Sequence, residues 1–369
     1  MKFACRTDAS IKIGTGHVMR CLTLDEALKV NGSELQFICR AHEGSLCGLL
    51  GDKGFKVHEL QINQKDYEFL TPNPRISVED YVDWLGSTQD QDAQATLKIL
   101  GNQCFDWLIV DHYGLDVSWE VQLRPVTQKL MVIDDLANRR HDCDLLLDQN
   151  YVYGDTDRYS ELVPASCKKL IGQSYALLRK EFAKVRETIQ ERSGRVRRLF
   201  VYFGGSDLDN MTATALKVLS MPEFSDLDVD VAMGANNPRF REITVLVGER
   251  PRTTLHVQVD NIAELMVEAD LALCAGGSST WERLCVGLPS IVVTVAENQE
   301  LLTRALNEDG FLRWLGSSRY VDEGDIAQAI RDSLQQGLQH REISRRGMEL
   351  VDGNGSQRVS NLLNSENWN

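Results

Sequence analysis

Three short segments constrain this chain most: Trp107-Leu-Ile-Val-Asp111, Lys129-Leu-Met-Val-Ile-Asp134 and Asp144-Leu-Leu-Leu-Asp148. Each is almost continuously apolar and closes on an aspartate. Runs of that kind suit strands buried on both faces, the situation of a parallel sheet covered by helices. The stretches between such strands carry helical patterns of ordinary length, so the expected architecture is an open, doubly wound α/β domain. The chain opens in the same idiom. Phe3-Ala4-Cys5 is a short strand that enters the polar loop Arg6 to Gly16, and a helical pattern begins at His17 with Met19, Cys21, Leu22, Leu24 and Leu28. Glu34 to Cys39 and Lys56 to Leu60 read as further strands, Gly44 to Gly54 as a short helix, and Asp80 to Leu100 as a helical stripe interrupted at Gly86.

The pattern then restarts. A charged amphipathic segment, Arg179 to Arg198, reads as the connection between domains. Beyond it, strands are expected at 198–203, 229–233, 255–259, 271–274 and 290–295, with closing helices at about 325–338 and 342–363. With 369 residues, the chain exceeds one typical core, and two domains of about 150–190 residues are the natural division. The expected boundaries are 1–192, 193–340, and a C-terminal helix and tail at 341–369.

Composition narrows the partners. The formal charge is −14, and no Lys/Arg-rich block breaks it. A field of that sign repels phosphate backbones, so nucleic acid is not an expected partner. No long uninterrupted apolar stretch exists, so no membrane span is expected. Lys2-Phe-Ala-Cys5 runs directly into the polar loop, which argues against a secretory signal. The nine cysteines are scattered in apolar runs, Cys39, Cys104, Cys274 and Cys285 among them, without a C-x-x-C pair. Buried free thiols and a reducing, cytoplasmic location are the expectation.

Open α/β sheets bind ligands at the carboxyl ends of their strands. Here those ends carry Arg6, Asp8 and His17, then Asp111-His112-Tyr113-Gly114 and Asp134-Asp135 in the first half. In the second half they carry Gly204-Gly205-Ser206-Asp207, Asn236-Asn237 and Gly276-Gly277-Ser278-Ser279 with Glu282. Gly14 and Gly16 permit positive φ and close approach of a ligand. His17 falls in the first turn of its helix, where the dipole favours neutral imidazole and a nearby anion opposes it. Gly276 to Thr280 precedes a helix, so amides and small hydroxyls could hold a diphosphate there. Glu282, one turn on, suits a pair of vicinal hydroxyls, but also a plain solvated helix carboxylate. Ser278 could equally be an N-cap. Asp134-Asp135 reads best as a strand-end turn. Asp111-His112 invites a metal or dyad interpretation, yet no partner stands at ligand spacing.

The motifs R-T-D-A-S-x-x-I-G-T-G-H-V-M-R-C-L-T-L at 6–24, I-V-D-H-Y-G-L-D at 109–116 and I-D-D-L-A-N-R-x-H-D-C-D-L-L-L-D-Q-N at 133–150 resemble the PseG/SpsG family. S-Y-A-L-L-R-x-E-F at 174–182, F-G-G-S-D at 203–207 and A-G-G-S-S-T-W-E-x-L at 275–284 agree in order. The resemblance implies a GT-B-like fold related to MurG-type glycosyltransferases, with two Rossmann-like domains facing a cleft. It implies hydrolysis of UDP-2,4-diacetamido-2,4,6-trideoxy-β-L-altropyranose to UDP and the free sugar, by inverting attack of water at the anomeric carbon. That reaction serves pseudaminic acid (nonulosonate) biosynthesis and surface glycans. It implies His17 as general base, no required metal and no cofactor. Uridine diphosphate is placed in the C-terminal half, with Glu282 as a binding residue and Gln299 as a donor-sugar or ribose contact. Gly14, Gly16, Tyr113, Gly205, Asn237, Ser278 and Ser279 complete the expected substrate-binding set, and Trp281 is given no contact. The expected partner is a UDP-sugar substrate, and the chain is expected to act as a monomer. Two alternatives stand beside the hydrolase: a MurG-like UDP-sugar glycosyltransferase, and a nucleotide-binding regulator without turnover.

Overall fold

The computed structural model describes residues 1–30, 32–62, 81–151, 157–235 and 237–365. Asp80 and Asn236, named above, lie outside them. The chain forms two compact units, one comprising Met1–Leu177 with Gly355–Asn369 and the other Leu178–Asn354.

Among its described residues the first unit holds seven strands: β1 Lys2–Thr7, β2 Glu34–Arg40, β3 Lys56–Leu60, β4 Phe105–Asp111, β5 Thr127–Ile133, β6 Leu145–Asp148 and β7 Lys168–Ile171. They lie in the order β3-β2-β1-β4-β5-β6-β7, and every pairing is parallel. The second unit repeats the scheme with β8 Arg198–Tyr202, β9 Asp228–Met233, β10 Thr253–Val257, β11 Leu271–Ala275, β12 Ser290–Thr294 and β13 Arg313–Ser317, in the order β10-β9-β8-β11-β12-β13. In both units the order reverses between the first and fourth strands (β1/β4 and β8/β11). The crevice at that reversal, beyond the strand C-termini, is where such sheets take ligands. The doubly wound α/β expectation is met in both units. The strands anticipated in sequence are present with ends shifted by at most two residues, except that β7 and β13 were not anticipated.

Burial explains the layering. Phe3, Phe37, Trp107, Ile109, Met131, Leu145 and Leu147 fill one face of the first sheet under the Gly16–Lys29 helix. Ala4, Ile38, Leu108, Val110, Leu130 and Leu146 fill the other, with Trp119 and Leu123. Strands apolar at consecutive positions are thus used on both sides. The second sheet is covered on one face by the Met211–Leu219 and Glu323–Gln335 helices.

Several expectations change in detail. The stripe ending at Leu100 is two helices, Tyr81–Trp84 and Gln89–Leu100, separated at Gly86, which turns at φ +64°. The segment expected to connect the domains packs onto the second unit. Phe182 of the Lys180–Arg186 helix is fully buried, Arg186 donates to the carbonyls of Cys285 (2.9 Å) and Met348 (2.6 Å), and Arg192 donates to those of Ala269, Met266 and Val286. The single helix expected at 342–363 is instead Gly337–Leu350 followed by Gly355–Leu363. Gly353, at φ +82°, breaks it. The second piece packs its Val359 and Leu363 into the core of the first unit. These units therefore differ from the division expected at 192/193 and 340/341. Cys104 is exposed, contrary to expectation; the other cysteines are buried, and all nine are free. Among the described residues no helix is long and apolar enough to cross a membrane.

Candidate active site

Parallel pairing of β1 with β4 sets Thr7 opposite Asp111, so whatever follows β1 meets the end of β4. Gly14 adopts φ +78° and its amide donates to the carbonyl of Ser10 at 2.9 Å, closing the loop after β1. Gly16 then opens the helix, and His17 is its second residue. The Nδ1 of His17 lies 2.7 Å from Oδ1 of Asp111. Arg20, one turn along the same helix face, grips that carboxylate with Nε to Oδ2 and Nη2 to Oδ1, both at 2.6 Å. Burial by itself would raise the Asp111 carboxyl. The Arg20 guanidinium, then His17, outweigh it and hold the group well below the usual carboxylate range. An ionised carboxylate against Nδ1 fixes the proton on that nitrogen. The lone pair is thereby left on Nε2, for which no partner is present among the described residues, and the ring is 8% exposed.

The surroundings hold this pair in place. Arg20 Nη1 donates to Asp135 (3.0 Å), and the Tyr113 hydroxyl donates to the other oxygen of Asp135 (2.6 Å). The rings of His17 and Tyr113 meet edge to face at 4.5 Å. Tyr113 is therefore in the site, but its hydroxyl is already spent on Asp135. Asp134-Asp135 divides its roles. Asp134 makes the strand-end turn, accepting from the Ala137 amide (2.9 Å) and Arg139 (2.7 Å), whereas Asp135 joins the His17 set. Arg6 and Asp8, placed at the strand ends by sequence, are fully buried. Arg6 bridges Asp8 (2.6 Å) and Asp92 (2.7 Å), Arg40 also pairs with Asp92 (2.6 Å), and the Trp119 indole donates to Asp92 (3.0 Å). Buried and bonded mainly to one another, with Arg40 Nε left unpartnered, these groups form a structural network. His112 is likewise buried, which pushes its imidazole down to about 3, and its Nδ1 accepts from the Gly114 amide at 3.0 Å. The dyad partner of Asp111 is thus His17 and not the adjacent histidine.

In the second unit, the loops after β8, β9 and β11 line the corresponding edge. Gly205 accepts from the Gly234 amide at 3.1 Å, and a Cβ on Gly234 would meet that carbonyl oxygen at 2.8 Å, so these two loops touch through backbone. Asn237 is buried beside them; its Oδ1 accepts from the Arg239 amide (2.7 Å) while its Nδ2 is unpartnered. Asp207 caps the Met211–Leu219 helix through the Met211 and Thr212 amides. Gly276 is packed too closely against Thr303 and Thr294 to carry a side chain, and the Gln299 amide lies alongside Gly277. Gln299 Oε1 accepts from the Val295 amide at 3.1 Å. The structure thus brings Gln299 to the glycine motif.

Ser278 sits at the N-cap position yet its hydroxyl makes no capping bond. Ser279 accepts from the buried Arg283 (2.8 Å), which also reaches the Ala275 carbonyl and the Thr280 and Ser290 hydroxyls. Glu282 is not a free solvated carboxylate, because Arg179 donates to its Oε1 at 3.3 Å. Trp281 is buried. Sequence reasoning placed Asp135 at a strand end but gave it only a turn role, and it missed Arg20, Arg179 and Arg283. Only Arg20 left a signal, its i+3 spacing from His17.

No family model matches the chain. It is 26% identical over 84% of its length to the UDP-2,4-diacetamido-2,4,6-trideoxy-beta-L-altropyranose hydrolase of Campylobacter jejuni, 98% of which is covered. It is 24% identical over 74% of its length to the spore coat polysaccharide biosynthesis protein SpsG of Bacillus subtilis, covering 80% of that protein. The resemblance drawn from the motifs is borne out by these relatives. The crystal structure of Acinetobacter baumannii MurG superposes with a TM-score of 0.61 at 13% identity, over 98% of this chain and 99% of that one, and establishes a shared GT-B fold.

Proposed function

We propose that this protein hydrolyses a UDP-linked 2,4-diacetamido-2,4,6-trideoxy sugar to UDP and the free sugar, with inversion. The observation that carries the proposal is the Asp111–His17 pair at the strand-order reversal of the first unit. Likeness to the Campylobacter hydrolase across nearly all of that protein supports the substrate class. In the reaction, Nε2 of His17 takes a proton from water as the water oxygen bonds to the anomeric carbon. The bond from that carbon to the diphosphate oxygen breaks, and UDP leaves with the electron pair. Asp111 keeps the Nδ1 proton and stabilises the imidazolium that forms.

Uridine diphosphate is assigned to the second unit, with Gly205, Asn237, Ser278, Ser279 and Gln299 as contacts and Glu282 on the ribose diol. Gly14 and Gly16 face the sugar and water, with Tyr113 beneath His17. Glu282→Ala should weaken UDP binding about 10–100-fold, the worth of a charged hydrogen-bonding group. Titration calorimetry measures this, and an unchanged dissociation constant would refute the ribose role.

The overall test is product analysis in ¹⁸O-water with UDP-diacetamido sugars and no acceptor. Label should enter the sugar at its anomeric carbon and be absent from UDP. Label in the phosphate would indicate attack at phosphorus and end the proposal. The shared fold with MurG keeps a glycosyltransferase as the second reading; it predicts no UDP release until an acceptor is added.

A further inference from the structure

An aromatic cluster adjoins His17 that the base mechanism does not use. The Tyr113 ring, in edge-to-face contact with His17, is stacked by Trp84 (centroids 5.8 Å, 29° between planes) and met edge-on by Tyr81 at 5.0 Å. Tyr81 and Trp84 contact each other at 4.8 Å. Tyr113 is 5% exposed, but Tyr81 and Trp84 are only half-buried. Two glycines hold this short helix against the site. A Cβ on Gly114, in the loop after β4, would come within 2.5 Å of the Tyr81 carbonyl oxygen, and one on Gly86 within 2.9 Å of the His42 ring. The indole N–H of Trp84, on the edge of an apolar ring, has no acceptor among the described residues.

A wall of that kind is amphipathic in a particular way. It offers π-face to C–H groups and methyls, and a single N–H to a carbonyl acceptor. A hydroxyl-rich sugar face would lose water against it without replacing the hydrogen bonds. A sugar that is deoxygenated and carries N-acetyl groups supplies methyls, C–H faces and amide carbonyls together. We propose that Trp84, backed by Tyr81, receives the acetamido-bearing, deoxygenated face of the substrate sugar and determines which UDP-sugar is taken. The proposal deepens the hydrolase reading and rests on it for the reacting substrate.

The test uses the full chain and two substrates, a UDP-2,4-diacetamido-2,4,6-trideoxy sugar and UDP-N-acetylglucosamine. Trp84→Ala should lower kcat/KM for the first about 10–100-fold, the range for apolar and hydrogen-bonding complementarity in a pocket. The second should change by less than about threefold, so discrimination narrows, and UDP affinity should stay as in the wild type. Trp84→Phe, which keeps a ring without the N–H, should fall between, and it guards against misfolding of the alanine variant. Equal losses on both substrates, or none, overturn the proposal. Saturation-transfer NMR with the free diacetamido-trideoxy sugar separates it from the hydrolase reading. Trp84-dependent binding without turnover of any UDP-sugar would sink hydrolysis and keep the wall. Turnover accompanied by sugar binding indifferent to Trp84 would do the reverse.

Discussion

His17→Ala lowers turnover about 10²–10⁴-fold and leaves UDP affinity unchanged: that is the expected result if Nε2 is the base, because general-base assistance typically contributes that factor. The factor corresponds to about 3–5 kcal/mol of transition-state stabilisation. The variant should fold, since the ring lies at the rim of the loop and its one strong bond is to Asp111, whose charge Arg20 still neutralises. Steady-state UDP release and calorimetric UDP binding on the same preparation decide the matter. Near-wild-type turnover would remove His17 from the mechanism.

Asp111→Asn should cost both activity and stability. An amide cannot take all three of the bonds from His17 and Arg20 that the carboxylate now takes. If its oxygen faces Nδ1, its NH2 confronts the Arg20 guanidinium, donor against donor; turned over, it drives the proton of His17 to the wrong nitrogen. Loss of tautomer control should reduce turnover by about 10²-fold or more, within the span of general-base assistance. Breaking a buried ion pair by removing one partner costs about 3–5 kcal/mol. The pH dependence gives a second handle. The Asp111 carboxyl is depressed in the folded state. Its contribution to stability is therefore complete above its ordinary value near 4 and is lost as pH falls below that towards the depressed one. The stability gap between wild type and Asp111→Asn, read from urea unfolding, should be full at pH 7 and shrink as the pH drops under about 4. A gap independent of pH across that range would show that Asp111 is not ionised there.

Much of the fold was legible because interior strands of a parallel sheet are apolar at successive positions, as in Leu108-Ile109-Val110 and Leu145-Leu146-Leu147. The two strands not anticipated, Lys168–Ile171 and Arg313–Ser317, each lie at one edge of their sheet, although the opposite edges, Lys56–Leu60 and Thr253–Val257, were legible. Their sequences, Lys-Lys-Leu-Ile and Arg-Trp-Leu-Gly-Ser, lack a continuous apolar run, which an edge position tolerates. The His17 loop was legible from its glycines and helix start. Its partner was not, because Asp111 is remote in sequence and comes alongside only through the placement of β4 next to β1. Beside His112, Asp111 invites a pairing with its neighbour in the chain that the spacing does not support, whereas its partner is its neighbour in space. Arg6 and Asp8 misled for the opposite reason: charged residues at a strand end read as ligand groups until their burial with Asp92 and Arg40 is known.

The return of the last helix to the first unit has a consequence for how the chain matures on the ribosome. Val359 and Leu363 belong to the core that also holds Leu22, Leu24 and Leu28, and Ser360 donates to the Ala27 carbonyl of the His17 helix itself. Synthesis at about 5–20 residues per second puts the whole of the second unit between the two parts of that core, a delay on the order of ten seconds or more. Until then the outer face of the Gly16–Lys29 helix has no cover, and the nascent first unit waits with an apolar stripe open to chaperones or to misassociation. The second unit, contiguous in sequence, can close as soon as it emerges. The half that carries the proposed base is thus the first to be made and the last to be finished.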